Sequence, residues 1–73
     1  MRYTQVICDR LDNEAVKLPY TSKICERVNH LIAHAWDNAP GDPQGQIDSL
    51  ISLLSYETDK RVIRWFAKRG ITA

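Results

Sequence analysis

His30 and His34 stand four residues apart, with Glu26 and Asp37 in reach, and imidazoles at that helical spacing can bind a divalent metal. No cysteine accompanies them, and two imidazoles on an otherwise polar face read as solvated, so no metal is expected. Cys8 and Cys25 are too few for a disulfide framework and lack the paired spacing of a zinc site, which makes free, buried thiols the expectation. A thiol nucleophile at Cys8 would need a Gly-rich turn and a pocket. The three glycines, Gly41, Gly45 and Gly70, form neither a phosphate loop nor a dinucleotide fingerprint. A chain of 73 residues also buries only about 60% of its unfolded surface, which leaves little mass around a cleft. No enzyme activity, cofactor or small-molecule substrate is expected; binding remains.

The residues best suited to binding are at the C-terminal end. The net charge is only +1, but residues 1–59 sum to −4 and residues 60–73, which contain no acid, to +5. At 100° per residue, Lys60, Arg61, Arg64 and Lys68 cover one arc of a helix, and Val62, Ile63 and Phe66 cover another. Trp65 falls at the border of the basic arc beside Arg61, Lys68 and Arg69, where its ring can stack on a guanidinium. Lys60, Arg61, Arg64, Lys68 and Arg69 are the candidate nucleic-acid contacts. The alternative for such a face is plain solvation.

These residues need elements to position them. Thr58 is the expected cap of a helix over 58–69, closed by Gly70. Upstream, Asp42 and Pro43 open a helix over 43–54 with Ile47, Leu50, Ile51 and Leu54 in its core stripe, after a linker with Pro40 and Gly41. Ser22 or Thr21 caps a helix over 23–37, whose apolar stripe is Ile24, Val28, Leu31 and Ala35.

The first 18 residues read differently. Residues 3–11 mix Tyr, Thr, Val and Ile as a strand does, Asp12-Asn13 suits a two-residue hairpin turn, and a second strand runs over 14–18 until Pro19. Pairing Asp9 with Val16 and Ile7 with Leu18 puts Ile7, Leu11, Val16 and Leu18 on one core face, with Tyr3 further along it. That register leaves Tyr3, Thr4, Gln5 and Val6 without a partner, an open edge to which a protein could add a strand. The expected fold is therefore α+β: a single small domain, residues 1–73, with an N-terminal two-stranded β-hairpin packed on three short α-helices. No apolar run exceeds three residues and no signal peptide opens the chain, so a cytoplasmic protein without a membrane partner is expected.

The stretch Thr58-Asp59-Lys60-Arg61-Val62-Ile63-Arg64-Trp65, followed by Lys68-Arg69-Gly70, resembles the recognition helix of small phage repressors of the Cro and repressor-like family. Ile51 and Ser52 fit that family's first helix. Ser55, however, stands where it has a core aliphatic, Tyr56 where it favours Gly, and Glu57 where it favours a buried Val. The resemblance implies a helix-turn-helix DNA-binding repressor in which Lys60, Arg61 and Arg64 face base edges or phosphates while Val62 and Trp65 are structural. As a whole, the expected layout of short hairpin, compact helices and basic C-terminal end resembles small phage-encoded transcription regulators that bind host RNA polymerase. That resemblance implies docking on RNA polymerase by protein contact to modulate initiation or termination, with Tyr3 to Val6 as the docking edge.

Overall fold

A computed structural model describes residues 3–73, and its regular elements are four helices: α1 (Tyr3–Val16), α2 (Cys25–Asn38), α3 (Pro43–Leu54) and α4 (Lys60–Ala67). No strand occurs among the described residues, so the protein is all-α and the expected α+β class with its hairpin is corrected.

The N-terminal segment is helical because its apolar residues recur at helical spacing. Ile7, Cys8, Leu11, Ala15 and Leu18 fall on one stripe, of which Cys8, Leu11 and Ala15 are buried and Ile7 and Leu18 partly so. The β register would have buried Val16 and Tyr3, but on the helix they point outward and are 80% and 79% exposed. Polar residues across the outer surface reinforce the helix at i, i+4: Gln5 Nε2 donates to Asp9 at 2.9 Å, and Arg10 Nε to Glu14 at 2.7 Å. Asp12 and Asn13, expected to turn the chain, lie inside α1. Asp12 accepts hydrogen bonds from Trp36 Nε1 of α2 at 3.0 and 3.2 Å. Pro19 marks a helix end instead of a strand end, three residues beyond Val16.

The other helices lie close to where the sequence puts them. α2 begins at Cys25 without a side-chain cap on its first turn; Ser22 Oγ meets only the Ile24 amide, at 3.4 Å. Val28, Leu31, Ile32 and Ala35 form its buried stripe. Gly41, at φ +71, lets the chain reverse into α3, where Asp42 takes the extended backbone of an N-cap but, unlike the expected cap, makes no side-chain hydrogen bond to the first turn, and Pro43 takes the first helical position. α3 buries Ile47, Leu50 and Leu54 and packs most extensively on α2, with α1 lying against both. α4 adds Val62, Trp65 and Phe66 to the same core.

α4 closes in a Schellman arrangement: Ile71 N–H donates to Phe66 O and Gly70 N–H to Ala67 O, each at 3.0 Å, with Gly70 at φ +85. Ile71 and Phe66, brought together by that turn, are both buried. The turn thus stitches the C-terminal end of α4 into the core.

Candidate nucleic-acid interface

α4 starts from Asp59, not from Thr58 as expected. Asp59 has extended backbone, and its carboxylate accepts from the Arg61 amide at 2.9 Å. The same carboxylate takes the Arg61 guanidinium, Nε at 3.1 Å and Nη2 at 2.9 Å. These hydrogen bonds from Arg61, side chain first and backbone second, hold the Asp59 carboxyl down at about 2. Arg61 is therefore charge-matched within its own turn.

Arg69 is also engaged internally. Its Nε donates to Glu14 Oε1 of α1 at 3.0 Å, its Nη1 to Trp65 O at 2.7 Å, and its guanidinium sits 3.8 Å above the Trp65 ring. Trp65 is stacked as the sequence suggests, but it is buried and meets Phe66 edge-on, with 4.9 Å between ring centroids. Glu14 accepts from both Arg10 and Arg69, and these cations lower its pKa, the hydrogen bond from Arg10 having the largest effect.

Of the five expected nucleic-acid contacts, three have no ion-pair partner among the described residues. These are Lys60, Arg64 and Lys68, all exposed. They succeed one another at i, i+4, i+8, which spaces them about 6 Å apart along the helix axis. Opposite them lie the buried Val62, Trp65 and Phe66, so α4 offers a cationic stripe on a face that the core does not use.

The turn before α4 contains a residue whose part the sequence does not show. The Glu57 side chain is 5% exposed, accepting from Arg27 Nε of α2 at 2.7 Å and from the Asp59 backbone N–H at 3.1 Å. The sequence signal for it was its place: an acid where the repressor-like pattern favours a buried Val. Arg27 gave no signal, being one of several charges on the polar side of α2.

The remaining candidates are placed as follows. Tyr3, Thr4, Gln5 and Val6 form the start of α1, so they present no strand edge, and docking by strand addition there is corrected. His30 and His34 stack with centroids 5.6 Å apart. No group of three His, Cys, Asp or Glu able to hold a metal occurs among the described residues. Cys8 is buried with its thiol 3.7 Å from Pro43 O, and burial first, then Asp12 and Asp9, pushes its pKa up, away from a nucleophilic thiolate. Cys25 is half-buried and approaches Leu18 O at 3.7 Å. Among the described residues no helix is long and apolar enough to cross a membrane.

Fold and surface together define a small all-α protein with a basic helix at its C-terminal end. Comparison with protein-family models, with curated proteins and with solved structures finds no match.

Proposed function

We propose that the protein is a small nucleic-acid-contacting regulator that lays α4 against backbone phosphates and carries out no reaction of its own. The observation behind this reading is the stripe of Lys60, Arg64 and Lys68, exposed and without an acidic partner among the described residues on a helix whose other face is core. Cations in a row suit phosphates, which position a protein on nucleic acid without reading its sequence. Arg61, expected at base edges or phosphates, is folded back on Asp59, which leaves the stripe to Lys60, Arg64 and Lys68. The five residues between α3 and α4, with Tyr56 85% exposed and Glu57 tied to α2, depart from the tight turn of sequence-specific repressors. A role on RNA polymerase loses its docking edge with the hairpin, so the reading rests on α4.

The test is binding to a labelled random-sequence duplex as salt is varied. Three engaged side chains give a log–log slope of about 2.7 on duplex and about 2.1 on a single strand. Changing Lys60, Arg64 and Lys68 together to Gln should remove most of that slope while leaving the melting temperature nearly unchanged. Equal binding by the wild-type and triple-variant proteins would leave the stripe a solvated face and end the proposal.

A further inference from the structure

Glu57 occupies the hinge through which α4 is attached. Its two carboxylate oxygens are divided between two elements: Oε1 takes Arg27 of α2, and Oε2 takes the backbone N–H of Asp59, the residue that caps α4. At the far end of α4 the Arg69–Glu14 pair ties the turn to α1. The helix is thus bridged at both ends through carboxylates, and the cations between the bridges face outward. An eight-residue helix does not hold its shape alone in water, so α4 depends on these attachments and on the burial of Val62, Trp65 and Phe66.

We infer that Glu57 is a positioning residue: with Arg27 it clamps α4 to α2, so that Lys60, Arg64 and Lys68 stand as a fixed stripe before any phosphate arrives. The consequence for binding rests on the nucleic-acid reading of α4, whereas the clamp itself is observable without a ligand. If α4 is docked for only a fraction of the time, apparent affinity falls by that fraction. The number of phosphates met in the bound state, and with it the salt slope, stays the same. Charge predicts the reverse for Glu57→Ala, because removing an acid beside a cationic stripe tightens binding. The two accounts differ in sign.

The experiment uses the full chain, with amide hydrogen exchange followed by NMR and duplex binding measured across salt. In Glu57→Ala and in Arg27→Gln, amides of α4 should exchange about ten-fold faster or more, while those in the centres of α2 and α3 change little. Glu57→Ala should bind duplex more weakly with an unchanged slope. Glu57→Gln, which keeps an acceptor, should fall between it and the wild type. Unchanged α4 protection in both variants, equal acceleration in all helices, or tighter duplex binding by Glu57→Ala would each overturn the clamp. Should Glu57→Ala not fold, Arg27→Gln decides the matter, since Arg27 is half exposed and its loss leaves the Glu57 bond to Asp59 in place. Absence of duplex binding by the wild type defeats the nucleic-acid reading, and the exchange measurement still decides the clamp.

Discussion

α1 and α4 are both amphipathic helices with charged outer faces, yet they dispose of their charge in opposite ways. On α1 every acid has a hydrogen-bond partner within the fold: the neutral Gln5 for Asp9, the neutral Trp36 for Asp12, and the cations Arg10 and Arg69 for Glu14. On α4 no acid follows Asp59, and after Arg61 has folded back onto it, Lys60, Arg64 and Lys68 remain without a counter-charge among the described residues. An acid hydrogen-bonded within the fold supports the helix and its neighbours, whether its partner is neutral or, as for Glu14, cationic. Segregated charge gains only the helix dipole from the fold, at Arg64 and Lys68, so its natural complement is an external anion. On the proposed reading the contrast makes α1 a structural element and α4 the binding one.

The most damaging change for this comparison should be in α1. Leu11 is fully buried, and Leu11→Ala should cost about 2–5 kcal/mol, whereas Val16→Ala, on the exposed side, should cost no more than about 0.5 kcal/mol. The hairpin register would place both residues in the core and penalise both. Urea denaturation of the two variants distinguishes them, and comparable losses would speak for the strand register.

That pair of residues also shows where the sequence was readable. Ranges 43–54 and 23–37 were clear because their caps and breaks, Asp42-Pro43 and Pro40-Gly41, agree with the 3.6-residue spacing of Ile47, Leu50 and Leu54 and of Val28, Leu31 and Ala35. In α1 local propensity and period disagreed. Tyr3, Thr4, Val6 and Ile7 favour a strand, and Asp12-Asn13 favours a turn, but Ile7, Cys8, Leu11, Ala15 and Leu18 keep the helical period. Tertiary packing of that stripe decides the outcome, and two small residues, Cys8 and Ala15, made it faint. The exposed cations of the candidate site were legible because like charge clusters in the linear sequence. Their sorting into free and engaged was not, since Arg69 meets Glu14 across 55 positions and Arg27 meets Glu57 across 30.

A smaller effect should appear at the start of α4 in acid. The Asp59 carboxyl titrates at about 2 in the folded protein, below the roughly 3.9 of an unfolded aspartate. A depressed folded pKa gives stability that is fully present above about 4 and is lost as pH falls toward 2. α4 amides should therefore lose protection in that window. In Asp59→Asn, which removes the titrating carboxyl and retains a capping side chain, the loss should be smaller, the remainder coming from Glu14, whose pKa is also lowered and which holds Arg69. Carboxyl chemical shifts through an NMR titration check the midpoint, and a midpoint near 3.9 would mean that the Arg61 contact does not hold in solution.

The smallest effect should lie within α4 itself, between Arg61 and Arg64. Both are exposed arginines on the basic arc, and net charge treats them alike. Arg61 begins with its guanidinium on Asp59, so engaging a phosphate means giving up two hydrogen bonds and leaving a carboxylate beside the anion. Arg64 gives up only water. The pair with Asp59 is solvent-exposed and weak enough to open, which keeps the contrast modest. Arg64→Gln should lower the duplex salt slope by close to 0.9, the value for one phosphate contact, and Arg61→Gln by clearly less. Equal decreases would mean that the Asp59 pairing yields to phosphate and that the stripe is four residues wide; no decrease for Arg64 would remove the central residue of the stripe and with it the distinction between α4 and α1.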